Sequence, residues 1–335
     1  MAYPAPPTEP LGQSDAFLKF QEELSRVSRV DRPVLIVGER GTGKELAAIK
    51  LHYLSKRWDG PMVTVNCAAL TESLLESELF GHEEGAFTGA RGKRLGRFES
   101  ADQGTLFLDE TGSISLPIQT KILRVVEYGM FERVGGSKSI KVDVRIIGAT
   151  NANLRELARK GSFKRDLLDR LAFEVLHVPP LRLRYGDISL LTDHFGGRMA
   201  VELGMDTPPD FSSSARQALE KYTWPGNVRE LKNVVERAVA RSQGQRIESV
   251  VFDPFTCPFE MLPDEHVSGL VPVERELPCD LKAILERTEV HYLEAALAQA
   301  EHKQRQAAEL LGLRYDQFRS LFRKHRSKNV PSGGD

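Results

Sequence analysis

The stretch that most restricts the fold is Val34-Leu35-Ile36-Val37, followed at once by Gly38-Glu39-Arg40-Gly41-Thr42-Gly43-Lys44. Four successive apolar residues, three of them β-branched, read as a strand buried on both faces. The three glycines allow a tight loop, and helical spacing resumes behind Lys44. A buried strand that feeds a helix needs parallel strands beside it, reached by crossover connections. Similar apolar runs recur at residues 62–65, 105–108, 142–149 and 173–178. Helical stretches separate them at 45–56, 71–80, 118–128 and 153–160, and an amphipathic helix at 16–30 carries Phe17, Phe20, Leu24 and Val27 on one face. The alternation predicts an α/β fold around a parallel sheet.

The loop after the first strand has the context of a phosphate-binding P-loop. Its backbone N–H groups and the helix N-terminus face an anion, and Lys44 adds a point charge. Glu45 stands where such loops commonly place a Mg²⁺-binding hydroxyl. Thr105-Leu106-Phe107-Leu108-Asp109-Glu110 is an apolar strand ending in two acids. In that arrangement Asp109 holds Mg²⁺, and Glu110 orients or deprotonates an attacking water. Asn151 follows the fourth run, placed to sense a terminal phosphate. Asn66 ends the second run, placed to hydrogen-bond Glu110.

Between the two halves of this site lies Gly85-Ala86-Phe87-Thr88-Gly89-Ala90. Nothing in it titrates, ligates a metal or attacks a substrate. It reads as a finger presenting one aromatic side chain, or as a turn whose Phe folds into the core.

A helical region spans 187–242, and a proline-bearing, aperiodic stretch at 256–280 reads as a linker. Helical pattern returns from 281. The net charge is −1, but from His302 onward there are 8 Lys and Arg against 3 Asp and Glu. A basic end on a mildly acidic body points to a polyanionic partner for that end alone. Residues 304–311 and 315–324, separated by Gly312, read as a helix-turn-helix. Ala307, Ala308, Leu310 and Leu311 form one packing face, and Phe318, Leu321 and Phe322 the other. Arg314, Tyr315, Gln317, Arg319, Ser320 and Arg323 are left to meet DNA. The helix at 281–300, with Ile284, Leu285, Val290, Leu293 and Leu297, is apolar enough for dimerisation. Cys67, Cys257 and Cys279 are odd in number and lack metal-site spacing, which favours reduced thiols. No apolar run is long enough to cross a bilayer, and no signal pattern opens the chain, so a cytoplasmic protein without direct membrane insertion is expected.

Taken together, the P-loop GERGTGKE, Glu78-Leu79-Phe80-Gly81-His82 leading into GAFTGA, the LFLDE strand and Trp224-Pro225-Gly226-Asn227-Val228-Arg229-Glu230-Leu231 resemble the sigma-54-dependent transcriptional activators. These are AAA+ ATPases, also called bacterial enhancer-binding proteins. The resemblance covers roughly residues 10–240 and 281–326. It implies a short tail at 1–10, an AAA+ α/β subdomain at 11–183, a helical lid at 184–250, a linker at 251–280 and a Fis-type helix-turn-helix domain at 281–328. Glu45 is usual in this family. ATP and Mg²⁺ are the implied ligands, held by residues 38–45, Asp109, Glu110, Asn151 and Arg229.

The family also implies a ring, expected to be a hexamer, in which a neighbour supplies arginine to the γ-phosphate. The usual Phe-Arg-x-Asp is Phe163-Lys164-Arg165-Asp166 here. Arg170 is therefore the preferred finger, with Arg165 or Lys164 assisting, and Arg133 is a weaker candidate for coupling between subunits. Gly85 to Ala90 become the contact with sigma-54 RNA polymerase holoenzyme.

Residues 51–58 and 167–173 resemble the branch of the family that controls phage shock operons. That branch implies control in trans by a membrane-associated negative regulator resembling phage shock protein A, with Trp58 as the contact. An enhancer-bound ATPase that converts closed promoter complexes to open ones is the leading expectation. Another AAA+ remodeller or replication initiator, or a non-enzymatic DNA-binding regulator, are the alternatives.

Overall fold

The computed structural model describes residues 10–86, 92–255, 281–300 and 303–326, and the chain divides into two units, Met1–Thr256 and Cys257–Asp335. The first unit is built on five parallel strands: β1 (Val34–Val37), β2 (Met62–Asn66), β3 (Thr105–Asp109), β6 (Arg145–Thr150) and β7 (Glu174–His177). Their order is β2-β3-β6-β1-β7. The strands β1, β3 and β6 alternate side chains between two cores, as the pleat requires. Val34, Ile36, Phe107 and Ile147 face a core built with α1 (Asp15–Ser28) and α2 (Lys44–Tyr53). Leu35, Leu106, Leu108 and Ile146 face the opposite core. That core is closed by α3 (Glu72–Phe80), α4 (Arg97–Ser100), α5 (Leu116–Tyr128), α6 (Leu154–Arg159) and α7 (Arg165–Leu171).

The run at 142–149 is shorter as a strand than its apolarity suggests. Its first residues close a hairpin, β4 (Met130–Glu132) with β5 (Ser139–Lys141), and Val142 N–H donates to Gly129. Strands of three residues leave too little periodicity to be seen in the sequence.

Three helices, α8 (Asp187–Glu202), α9 (Ser213–Lys221) and α10 (Asn227–Ser242), form a third core within this unit around the fully buried Trp224. The indole N–H donates to Leu219 O at 2.9 Å.

The second unit holds α11 (Leu281–Gln299), α12 (Gln304–Leu310) and α13 (Tyr315–Arg326), packed around Leu293, Leu297, Ala307, Ala308 and Phe318. Two expectations change here. Leu310 is 53% exposed and does not join the packing face of α12. Leu293 and Leu297 are consumed by this core and are not free for dimerisation, whereas Leu285 is exposed. The sequence period shows an apolar stripe but not which partner covers it. Among the described residues no helix is long and apolar enough to cross a membrane.

Candidate nucleotide site

The P-loop leaves the sheet between two neighbours. Gly38 N–H donates to Thr150 O at the end of β6, and Val178 N–H donates to Val37 O. Gly43, at φ +94°, opens α2, so the free amides of its first turn crown the loop. No heavy atom lies within 4 Å of where a Gly43 Cβ would stand, which leaves open space beside the loop. Lys44 is 8% exposed, and its Nζ donates to Gly38 O at 3.0 Å and Glu39 O at 3.2 Å. Burial pulls the Lys44 pKa down, the charges of Glu110 and Asp109 push it back up, and Arg229 and Arg40 lower it further. Lys44, both acids and Arg229 therefore share one electrostatic site.

Asp109 ends β3 and accepts the Glu110 N–H on Oδ1 at 2.9 Å. Glu110 holds φ +53°, a conformation rare outside glycine and concentrated at working sites. The turn is tied to β6 through Thr111, whose hydroxyl donates to Ala149 O. Amides, one ammonium and a hard carboxylate oxygen fit a nucleotide triphosphate with a divalent cation.

Three assigned roles meet a different geometry. Asn66 pairs in register with Asp109, but its Oδ1 accepts the Ala68 N–H and makes no hydrogen bond to Glu110. That bond ties the amide oxygen of the asparagine into its own turn. The Glu39 carboxylate is occupied by a side chain: Arg182 grips it through two hydrogen bonds of 2.8 and 2.6 Å. Together with Asn227 this holds the Glu39 pKa down at about 2. Arg133 is buried and bound to Glu83 and Glu99 of its own chain, so it is committed within the subunit.

Arg40 and Glu45 are exposed. Arg170 is exposed on α7 and paired with Glu127 of α5, 3.0 Å from Nη2. Asn151 and Arg165 both line a groove of about 1,010 Å³ with Asp169, His177 and Val37, the last residue before the P-loop. A smaller cavity of about 90 Å³ adjoins Thr42 and Gly43 and is lined by Leu11, Leu46, Phe195 and Val228. Its apolar walls suit a flat heterocycle next to the phosphates. Sequence reasoning missed these residues, which come from four separate segments.

The finger loop rises from a stem. His82 and Arg94 exchange backbone hydrogen bonds, and Glu83 N–H donates to Val134 O. Gly81, at φ +70°, stands so close to Arg94 that a Cβ would lie 2.4 Å from the Arg94 carbonyl. Phe80, Phe98 and Phe131 cluster beneath the stem with centroids 5.4–5.8 Å apart. Gly85 and Ala86 continue the stem, while Phe87, Thr88, Gly89 and Ala90 lie outside the described residues. Trp58 is 62% exposed. The preceding Arg57 is held by Asp31 and Asp143, each 2.7 Å away, which fixes that loop to the body.

In the second unit Arg314, Tyr315, Arg319, Ser320 and Arg323 are exposed. Gln317 is exposed as well, but its Oε1 accepts the Arg314 N–H and caps α13. Arg305 stacks 5.6 Å over the Tyr315 ring.

This arrangement recurs in known proteins. Residues 11–177 match the model of the sigma-54 interaction domain, and residues 182–256 match that of the AAA+ ATPase lid domain. The chain is 49% identical to the Psp operon transcriptional activator of Escherichia coli K12, over 94% of this chain and 97% of that protein. It is 42% identical to the nitrogen fixation protein VnfA of Azotobacter vinelandii, over 96% of this chain but 60% of that longer protein. The crystal structure of NtrX from Brucella abortus in complex with ATP superposes with a TM-score of 0.67 at 35% identity, covering 96% of this chain and 69% of that one. The sheet, loop and lid are thus an AAA+ P-loop NTPase fold with a helical lid, and the chain belongs to the sigma-54-dependent transcriptional activator family.

Proposed function

We propose that this protein is an ATP-hydrolysing activator that remodels sigma-54 RNA polymerase holoenzyme from a closed to an open promoter complex. The observation that carries the reading is the P-loop with its buried Lys44, set after β1 in the sheet whose strand β3 ends in Asp109 and Glu110, with the first turn of α10 bonded to the loop through Arg229 N–H and Gly41 O, while the stem of the Gly85–Ala90 loop leaves the same domain. In this reading the loop amides and Lys44 bind the phosphates, and Glu110 activates or orients water. The cavity at Leu11 and Leu46 takes the base. A Mg²⁺ ion at Asp109 supplies charge neutralisation to the phosphate oxygens.

Arg170, with Arg165 or Lys164, reaches the neighbouring subunit's nucleotide in a hexameric ring. Its pairing with Glu127 leaves it exposed on α7, where a neighbour can engage it. Residues Arg314 to Arg323 contact enhancer DNA, at or near a phage shock operon. Trp58, exposed on a braced loop, meets a negative regulator resembling phage shock protein A.

The test is permanganate footprinting of a sigma-54 promoter with holoenzyme and this protein. ATP-dependent melting is expected, and its absence alongside normal ATP turnover favours a different AAA+ remodeller.

A further inference from the structure

The lid meets the P-loop through one buried side chain whose task none of the motif assignments covers. Asn227 is fully buried, begins α10 and holds φ +53°. Non-glycine residues keep that conformation where surrounding bonds enforce it. Its Oδ1 accepts the Leu181 N–H at 2.8 Å, from the segment that joins the sheet to the lid. Its Nδ2 donates to Arg40 O at 3.0 Å and to Glu39 Oε2 at 3.1 Å, both in the P-loop, with Pro225 O at 3.4 Å. The amide is thus spent wholly on joining three segments.

The backbones are equally close. A Cβ on Gly41 would stand 2.2 Å from Gly226 O, and Arg229 N–H donates to Gly41 O at 3.3 Å. Glu230 closes the same turn, accepting the Gly226 N–H at 2.7 Å. The first turn of α10, which carries Arg229, is therefore seated directly on the loop that cradles phosphate.

We propose that Asn227 is a positioning residue for nucleotide binding: it locks the start of α10 onto the P-loop so that the Arg229 guanidinium is held at the phosphates. This rests on the reading of the P-loop as the ATP site. With the backbone at Asn227 left-handed, one side of the amide meets Leu181 and the other meets Arg40. Lid position and phosphate site are coupled through this amide, and the exposed Glu39–Arg182 pair reinforces it.

Substitutions separate bonds from backbone. Asn227→Gly accepts the left-handed conformation but removes every side-chain bond. Asn227→Asp keeps the acceptor for Leu181 and sets an oxygen against Arg40 O and the Glu39 carboxylate. Both are compared with wild type, Arg229→Ala and the Asn227→Gly/Arg229→Ala double variant in the full chain. The readouts are ATP affinity by calorimetry, KM and kcat for ATP hydrolysis, and thermal unfolding without nucleotide.

The expected result for Asn227→Gly is an ATP Kd and KM raised about tenfold with kcat at saturating ATP changed less than about threefold. The double variant should bind no more than about twofold more weakly than Arg229→Ala alone, because both changes remove one interaction. Asn227→Asp should shift affinity in the same direction, and it carries the test if Asn227→Gly does not fold. Wild-type ATP affinity in both variants, or full additivity with Arg229→Ala, overturns the proposal. A fall in unfolding temperature without a change in affinity also overturns it, since that is a structural role alone. Failure of the wild-type protein to bind ATP overturns the ATP-site reading instead.

Discussion

The P-loop and the stem of the finger loop leave the same domain but are held by different forces. The P-loop is fixed by a backbone hydrogen bond to β6, by a buried lysine and by the fully buried Asn227. The stem is fixed by two backbone pairings, an aromatic cluster, and the ion pairs of Arg133 with Glu83 and Glu99. Further pairs join Glu78 to Arg94 and Arg97 across the loop base, where both arginines are largely exposed. Buried backbone contacts change little with surroundings, whereas partly exposed ion pairs are weak and salt-sensitive. Both are anchored by buried groups, Asn227 at the P-loop and Phe80, Phe98 and Arg133 at the stem, and what sets the stem apart is the added layer of exposed ion pairs at its base.

The sharpest way to break this contrast acts on the chemistry alone. Glu110→Gln should lower ATP turnover by about 10²–10⁴-fold while leaving ATP affinity near wild type, as read by steady-state hydrolysis and calorimetry. A comparable loss of affinity would mean that Glu110 holds the site together. Next in size, Trp224→Ala should destabilise the lid by about 3–5 kcal/mol, because it empties a fully enclosed volume. Trp58→Ala should stay within about 0.5 kcal/mol in the same denaturant titration. Equal effects would contradict the exposure difference between the two tryptophans.

Arg133→Ala tests the stem. Removing one partner of this pairing should leave the KM for ATP within about twofold but weaken promoter opening by the equivalent of about 0.5–2 kcal/mol of coupling. An altered KM with intact opening would place Arg133 in the nucleotide site instead.

A smaller effect follows from Glu39, whose folded pKa of about 2 lies below its ordinary value of 4.5. A depressed carboxylate pKa stabilises the folded chain above the unfolded value, and that contribution fades as pH falls from about 4.5 towards 2. Thermal melts of wild type and Glu39→Gln should therefore differ by a constant amount above about pH 5 and converge in acid. The smallest effect is an absence of reaction. Burial pushes the Cys67 thiol up to about 12, so its peptide should remain unalkylated by iodoacetamide at neutral pH in the folded protein.

Most of the parallel sheet could be read from the sequence because its signals are local: short apolar runs, glycines and helical periods. Lys44, Asp109 and Glu110 were equally readable, since the loop after β1 and the end of β3 carry local signals of their own, glycines before a helix and two acids after an apolar run. What escaped depends on contacts between distant segments. Glu39 lies inside a phosphate motif yet spends its carboxylate on Arg182. The cavity beside Thr42 and Gly43 draws on Leu11, Leu46, Phe195 and Val228, which no local pattern connects. Leu293, Leu297 and Leu310 show the same limit in α11 and α12. An apolar period marks a face, but the partner that covers it is decided in three dimensions.

In the proposed function, hydrolysis at Asp109 and Glu110 is delivered through the loop at Gly85–Ala90. The most direct measurement is ATP-dependent open-complex formation on a sigma-54 promoter by Thr88→Ala, scored beside its own ATP turnover. Turnover near wild type with promoter opening abolished is the predicted result. Opening that persists at the wild-type level in Thr88→Ala would contradict it.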